Sequence, residues 1–129
     1  MINDNEQYIS LSTQKKDGSF VDTPVWFAQE GSTNIYVVYS QRNSGKVKRI
    51  RNFPDVKIVG CNFHGKPKGK SFNGKASLVK NQELEKLAYK FLRKKYGIKF
   101  LIGDFFAYIV RNYNRRQIIR IQVSLNTND

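Results

Sequence analysis

Alternation of apolar and polar side chains dominates the first part of the chain. Within Tyr8–Gln14 the alternation has a period of two, which is typical of a half-buried strand. Phe20–Ala28 follows across the turn Lys16–Ser19, which contains Asp17-Gly18. After the turn Glu30–Asn34, the segment Ile35–Tyr39 is almost entirely β-branched or aromatic, as in a central strand. The pattern therefore predicts three antiparallel strands before residue 41.

Three more strands are predicted further along. Val56–Phe63 is apolar enough for a strand, and the turn His64–Gly69 leads to another at Ser71–Leu78. Gln117–Leu125 again alternates and is expected to close the sheet. Six strands joined mostly by tight turns predict a mainly β protein, an antiparallel barrel with one or two peripheral helices, because closure removes exposed edges.

The helical signals are of a different kind. Gln82–Tyr96 carries apolar residues on one face and charged residues off it, and Gly97 is expected to cap this helix. The apolar stripe consists of Leu84, Leu87, Ala88, Phe91 and Leu92. Ile98–Tyr113 has too many apolar residues for alternation, so we predict a second short helix there. A basic one-turn helix is also predicted between Ser44-Gly45 and Asn52.

Length and charge limit the classes of function. A chain of 129 residues is expected to be one domain spanning 1–129. Twenty-three Lys and Arg against ten Asp and Glu leave a net charge of +13, which favours anionic partners: nucleic acid, anionic membranes or phosphorylated ligands. The positive charge is spread along the chain without a recognisable nucleic-acid-binding module, so nucleic acid is the less favoured partner.

Other features predict a cytoplasmic protein without a metal site. The cysteine Cys61 lies in an apolar strand and is expected to be a small core residue, which fits a reducing compartment. The polar, acidic start Met1–Glu6 is not a secretory signal, and no apolar run approaches the roughly twenty residues that span a membrane. His64 is the only histidine, so no metal site with several histidines is expected.

The segment after the third strand has the features of an anion site. The backbone N–H groups of Ser44 and Gly45 can approach a phosphate, and the following helix offers its positive N-terminal end. Lys46 and Arg49 lie three residues apart and therefore on one face of that helix. These residues predict a site for a phosphate-bearing cofactor.

Short motifs from Tyr8 to Tyr96 together resemble the split β-barrel flavoproteins related to pyridoxamine 5'-phosphate oxidase, in the branch of FMN- or deazaflavin (coenzyme F-420)-dependent oxidoreductases. The order and spacing of the motifs carry the resemblance. They are Leu11-Ser12-Thr13, Asp17-Gly18, Thr23-Pro24-Val25-Trp26-Phe27, Tyr39-Ser40, Ser44-Gly45-Lys46, Arg49-Ile50-Arg51, Asn52-Phe53-Pro54-Asp55-Val56 and Lys94-Lys95-Tyr96-Gly97. The resemblance implies a six-stranded split barrel that binds a flavin at the interface of a homodimer.

The resemblance also implies roles for single residues. Thr23, Pro24, Val25 and Trp26 would line the flavin ring. Tyr39 and Ser40 would contact the ribityl chain or the phosphate, and Lys46 with Arg49 would hold the phosphate near Ser44. Because proline lacks an N–H donor, Pro24 independently indicates a strand edge or bulge with backbone groups free to bind a ligand. Trp26 is open to two interpretations, a core aromatic residue or one in contact with the ring.

The implied function is an oxidoreductase that transfers a hydride between the flavin and a small substrate. The flavin performs the chemistry, so few catalytic side chains are needed and none is assigned. FMN is the favoured cofactor, with coenzyme F-420 as the alternative. Two other functions stay open: a non-enzymatic basic module that binds nucleic acid or another polyanion, and a haem-binding split barrel with His64 as axial ligand.

Overall fold

The protein forms a closed barrel of six antiparallel strands with two helices on the outside. The computed structural model describes residues 2–97, 111 and 115–124. Its strands are β1 (Tyr8–Gln14), β2 (Phe20–Gln29), β3 (Ile35–Gln41), β4 (Asp55–Cys61), β5 (Pro67–Leu78) and β6 (Arg116–Val123), and its helices are α1 (Gly45–Asn52) and α2 (Gln82–Tyr96). The strands follow the order β1-β2-β3-β6-β5-β4 around the barrel. The mainly β, six-stranded fold predicted from the sequence is confirmed.

Two apolar clusters stabilise this arrangement, one inside the barrel and one outside it. Alternate residues of a strand point to opposite faces, so Val25 and Phe27 of β2 lie in the inner cluster, while Trp26 packs against the outer one. The same alternation in β3 puts Val38 inside and Tyr39 outside. The outer cluster is therefore where α2 covers β2 and β3.

Helix α2 has complete signals at both ends. The side chain of Asn81 accepts hydrogen bonds from the N–H groups of Glu83 and Leu84, at 2.7 and 3.2 Å. Acidic residues occupy the first turn and basic residues the last, which complements the helix dipole. Gly97 ends the helix with a φ of 54°, a value that glycine adopts without strain. The predicted bounds of this helix are confirmed.

The predicted boundaries differ from the structure near the β4–β5 turn. We expected a turn over His64–Gly69, whereas the turn is shorter and β5 already begins at Pro67. Asn62 Oδ1 accepts hydrogen bonds from the N–H groups of both His64 and Lys66, each at 2.9 Å. This side chain closes the turn within five residues.

For the other elements, the predicted and observed bounds differ less. α1 has eight residues, twice the single turn predicted, and β6 ends at Val123. The helix predicted over Ile98–Tyr113 lies outside the described residues apart from Arg111. Among the helices that the structure describes, none is long and apolar enough to cross a membrane.

The barrel is split where β2 meets β3. The two strands pair only over Phe27–Gln29 of β2, so residues 20–26 pair with β1 on one side and have no partner in β3 on the other. From Trp26 to Phe20 the strands β2 and β3 therefore diverge. Helix α1 begins just after β3, beside this opening, and the functional site predicted from the sequence lies at this split.

Candidate functional site

A surface groove of about 350 Å³ lies at the split between β2 and β3. The groove is lined by Tyr8, Pro24, Val25, Trp26, Tyr39, Lys46 and Phe63. Pro24, Val25, Trp26, Tyr39 and Lys46 are among the residues predicted from the sequence. A groove of this size is at the lower end of the range of roughly 300–1,000 Å³ that is usual for small-molecule sites.

Strand order decides which residues face each other across the groove. β2 lies between β1 and β3, so Pro24, Val25 and Trp26 form the floor. Tyr8 of β1 and Phe63, just after β4, lie on one side of that floor. Tyr39 of β3 and Lys46 of α1 lie on the other. Both sides of the groove thus carry aromatic rings, and the side of Tyr39 also carries the cation Lys46.

Trp26 packs as a core aromatic residue and also lines the groove, while its contact with a flavin ring stays a prediction. Its side chain is half-buried and packs against the outer cluster beneath α2. Because one face of this residue is held by the protein, the indole is a fixed part of the floor.

The start of α1 is built differently from the start of α2. At Ser44, the residue before α1, the side chain forms no capping bond and donates instead to the carbonyl oxygen of Gln41 at 2.8 Å. The first turn of α1 contains no acidic residue, whereas α2 has both a capping Asn81 and acidic residues. The positive end of α1 is therefore left without an anionic or capping side chain of its own, as is typical of anion sites.

Two basic side chains add to this positive end. Lys46 is half-buried, and burial together with the charge of Arg49 lowers its pKa. Arg49 folds back along the helix: a side-chain carbon at Gly45 would meet one guanidinium nitrogen at 2.7 Å. Neither residue forms an ion pair with a carboxylate in the part of the chain that the structure describes. A bound anion would relieve the repulsion between these charges.

Arg49 is oriented by a residue of the barrel. Its Nε donates a hydrogen bond of 2.6 Å to Thr13 Oγ1 in β1. Thr13 is completely buried. The guanidinium is therefore held between the barrel wall and the start of α1, close to Lys46.

The remaining predicted residues, Thr23, Ser40, Ser44 and Arg49, do not line the groove. Ser40 is buried and follows Val38 on the inner face of β3, so it points away from its neighbour Tyr39. Its hydroxyl lies 3.2 Å from that of Ser44, at the junction of β3 and α1. Thr23 is half-buried opposite Leu11 of β1. Thr23 therefore lies in the same strand as the floor, and Ser40 and Ser44 lie at the junction that leads into α1.

Sequence reasoning missed three residues: Tyr8, Phe63 and Thr13. Tyr8 was assigned to the first strand and Phe63 to the end of the fourth, Val56–Phe63, both without a role, whereas β4 ends at Cys61. A signal for Phe63 was present, since an apolar aromatic residue between Asn62 and Gly65 is unusual in a tight turn. Thr13 belongs to a motif of the family resemblance, but its bond to Arg49 depends on the folded barrel.

The lining suits a ligand with a flat apolar part and an anionic part. Aromatic rings and Pro24 offer apolar contact, and Lys46 with the start of α1 offers positive charge. None of the lining residues is a carboxylate, and none is a histidine. The described lining is suited to holding a ligand, and it contains no general acid–base pair of carboxylate or imidazole groups. These features fit a planar cofactor that carries a phosphate.

Known structures share this fold. An F420 reductase superposes with a TM-score of 0.62 at 18% identity, covering 94% of this chain and 89% of its own. General Stress Protein 26 from Bacillus anthracis gives 0.61 at 20% identity, with coverages of 92% and 80%. HutZ, the heme storage protein from Vibrio cholerae, gives 0.59 at 15% identity, with coverages of 94% and 84%. These similarities show the fold.

Sequence comparison identifies the family. A search of curated protein sequences gives no match. Residues 2–125, nearly the whole chain, match the family of pyridoxamine 5'-phosphate oxidase. The protein therefore belongs to the pyridoxamine 5'-phosphate oxidase family of split barrels.

Proposed function

We propose that the protein binds FMN in the groove at the split of the barrel. The phosphate is held by the N-terminal end of α1 with Lys46 and Arg49, and the ring lies on the floor formed by Pro24, Val25 and Trp26. The observation that carries this proposal is the continuity of the groove. A cationic helix start without a cap of its own and an aromatic lining border the same cavity.

The chemistry follows from the cofactor. A bound flavin supplies hydride transfer, and the protein supplies position and electrostatics. Lys46 and Arg49 neutralise the phosphate, while Trp26 and Tyr39 exclude water from one face of the ring. The protein is thus an oxidoreductase acting on a small molecule. The deazaflavin coenzyme F-420 is the alternative cofactor, which the likeness to an F420 reductase supports.

We also propose that the protein acts as a homodimer in the cytoplasm. The groove opens at the surface, and its exposed Phe63 leaves one side uncovered. A second copy would close the site and remove the ring from water. The buried free thiol of Cys61 is compatible with a reducing compartment.

The single tryptophan of the chain provides a direct test, because Trp26 lines the groove. We expect FMN to quench its fluorescence at one equivalent per chain. Riboflavin, which lacks the phosphate, should quench too but bind more weakly. Saturation by riboflavin at the same affinity as FMN would contradict the phosphate assignment.

A double variant, Lys46→Ala with Arg49→Ala, sharpens the test. Hydrogen bonds to charged groups contribute about 1.5–3 kcal/mol each, so FMN affinity should fall at least tenfold. Riboflavin affinity should stay the same. The matched control is Lys48→Ala with Arg51→Ala, which removes two exposed basic residues from the same helix. Equal losses of FMN affinity in the two double variants would mean that only the net charge of the helix affects binding.

The absorption spectrum of the purified protein separates the alternatives. A flavin or deazaflavin spectrum identifies the cofactor, and a Soret band would favour haem with His64 as its ligand. A colourless protein that takes up neither cofactor, and whose affinity for nucleic acid falls steeply with salt, would favour the basic binding module.

A further inference from the structure

Lys95 carries an amine that lies in a second cavity, away from the groove at the split. This cavity has a volume of about 340 Å³ and is lined by Asp4, Asn5, Gln7, Lys95 and Tyr96. None of these five residues lines the groove. The cavity lies between the N-terminal segment 2–7, which precedes β1, and the last turn of α2. Its volume is at the lower end of the range for small-molecule sites, so it suits a ligand of a few carbon atoms.

The amine of Lys95 is held at one point of the cavity wall. Only 9% of the side chain is exposed. Its Nζ donates a hydrogen bond of 2.7 Å to the carbonyl oxygen of Glu6 and lies 3.3 Å from the centroid of the Phe27 ring. Burial beside an aromatic ring disfavours the charged form of an amine, so a lysine in this position is a better nucleophile at neutral pH than an exposed one.

Asp4 is the carboxylate beside this amine. Its Oδ1 lies 3.4 Å from Lys95 Nζ and accepts a hydrogen bond of 3.1 Å from the N–H group of Gln29, at the end of β2. The carboxylate of Glu6 instead pairs with Lys68 at 3.5 Å. Among the described residues, Asp4 is therefore the one placed to carry protons to and from Nζ.

The N-terminal wall of the cavity is fixed before and after Asp4. The hydroxyl of Tyr36 donates to the carbonyl oxygen of Ile2 at 3.0 Å. The hydroxyl of Tyr96 donates to the carbonyl oxygen of Gln7 at 2.8 Å. A ligand thus meets a cavity that is already formed, and it need not order this segment first.

The groups around Lys95 keep a large share of the amine uncharged. Burial lowers the pKa of Lys95 to about 8, although Asp4 and Glu6 oppose the shift. Burial also raises the pKa of Tyr96, the titratable neighbour on the same helix, so its phenol stays neutral. At pH 7.5 about a quarter of the Lys95 amines are then uncharged, against about one in a thousand for a lysine with the ordinary pKa of 10.5.

The lining limits which electrophile fits beside this amine. The carboxylate of Asp4 repels an anionic ligand, and it would equally repel the carboxylate that forms when an amine takes up carbon dioxide. The amide side chains of Asn5 and Gln7 offer donors and acceptors for hydroxyl groups. A small aldehyde that is uncharged and carries a hydroxyl group meets all of these conditions.

We propose that Lys95 is a covalent capture site for small, neutral hydroxyaldehydes, which it binds as a Schiff base inside this cavity. The neutral amine attacks the carbonyl carbon, so a C–N bond forms and the carbonyl electron pair moves to oxygen. Asp4 relays the two N–H protons of the amine, one after the other, to that oxygen, which leaves as water. The products are the imine and one water molecule, and no oxidant or reductant takes part. The site is independent of the proposed flavin groove.

Reductive trapping on the full chain tests this site. Cyanoborohydride converts the imine of glycolaldehyde into a stable secondary amine, and peptide mass spectrometry then measures the label at each lysine. Lys94 is the internal control, because it is exposed and precedes Lys95 in the same helix. At pH 7.5 we expect the label at Lys95 to exceed that at Lys94 by at least about tenfold. This ratio should fall as the pH rises to 10, because Lys94 then loses its proton as well.

A charged probe and two variants separate the chemistry from a purely structural role. Glyoxylate, an anionic aldehyde, should give a smaller ratio than glycolaldehyde. Lys95→Arg should remove the fast phase of labelling from intact-mass kinetics and leave the slow phase. Asp4→Asn keeps the oxygen that accepts from Gln29 and removes the charge that raises the pKa of Lys95. An effect of charge alone would then speed labelling, whereas loss of the proton relay should slow it by at least about tenfold.

Equal label at Lys95 and Lys94 in the wild type would overturn the inference. A ratio that is the same for glycolaldehyde and glyoxylate would contradict the preference for neutral ligands, and faster labelling of Asp4→Asn would contradict the relay. Labelling should not depend on FMN, because the two cavities share no lining residue. Loss of the Lys95 label on loading with FMN would place this amine in the cofactor site instead.

Discussion

Arg49 is tied to Thr13 by a hydrogen bond of 2.6 Å from its Nε to the threonine Oγ1. Arg49 belongs to α1 and Thr13 to β1, so this bond joins the helix at the groove to the barrel wall. Because Thr13 is completely buried, its hydroxyl has a fixed position. The bond therefore aims the guanidinium at the start of α1, where Lys46 also lies.

Replacing Thr13 by valine tests whether this bond orients Arg49. The change keeps the shape of the side chain and removes the acceptor. We expect the free energy of unfolding to fall by about 1–3 kcal/mol, since the Nε–H group loses its partner in a partly buried site. FMN affinity should fall several-fold and riboflavin affinity should not, as measured by Trp26 fluorescence. Equal changes for both ligands would contradict an effect through the phosphate.

Gly45→Ala tests the approach of Arg49 to the helix start. An added carbon would lie 2.7 Å from a guanidinium nitrogen, so the flexible end of Arg49 must move away. Alanine is favoured over glycine within helices by up to about 1 kcal/mol, so stability should be unchanged or slightly higher. FMN affinity is nevertheless expected to drop. A variant that is both stable and unimpaired in FMN binding would show that the position of Arg49 is unimportant.

Tyr96 joins three parts of the molecule through one hydroxyl group. The hydroxyl accepts from Phe27 N–H at 3.0 Å, and the carbonyl oxygens of Gln7 and Phe27 lie at 2.8 and 3.1 Å. Burial raises the pKa of the phenol, so it stays protonated as a donor. Tyr96→Phe leaves these backbone groups without that partner, and we expect a loss of about 1–3 kcal/mol in urea unfolding. An unchanged free energy of unfolding would mean that water replaces the hydroxyl.

Lys95 is a nearly buried amine, with 9% of its side chain exposed. Its Nζ donates to the carbonyl oxygen of Glu6 at 2.7 Å, lies 3.4 Å from Asp4 Oδ1, and lies 3.3 Å from the centroid of the Phe27 ring. Burial lowers the pKa of Lys95 to about 8, although Asp4 and Glu6 oppose the shift. The ammonium group of Lys95 should therefore lose its proton at a lower pH in the folded protein than in the unfolded chain.

Stability should therefore depend on Lys95 above pH 8. Between about 8 and the ordinary lysine pKa of 10.5, the unfolded chain binds more protons at this site than the folded protein. The contribution of Lys95 to the free energy of unfolding then rises with pH. Cys61 and Tyr96 have raised pKa values and act in the opposite direction. The quantity to measure is therefore the difference in the free energy of unfolding between wild type and Lys95→Met.

In urea unfolding, we expect the free energy of unfolding of the wild type to rise relative to that of Lys95→Met between pH 8 and pH 10. The matched control is Lys94→Met, which removes an exposed lysine from the same helix turn and should show no such trend. A difference that is constant with pH would show that Lys95 does not titrate in this range.

Local patterns determined much of this structure. β1 and α2 have the bounds that periodicity predicted, because alternation, caps and helix dipoles act within a few residues. The same holds for the basic start of α1 after Ser44. The motifs were sufficient to indicate the family, and five predicted residues line one groove.

Tertiary structure alone decided how that groove is completed. Phe63 meets Tyr8 because β1 and β4 pair with Tyr8 opposite Cys61, and the bond between Arg49 and Thr13 spans 36 positions of the chain. The split itself arises where the pairing of β2 with β3 stops at Phe27. Strand register and the approach of distant segments depend on the packing of the whole barrel, so no short stretch of sequence specifies them.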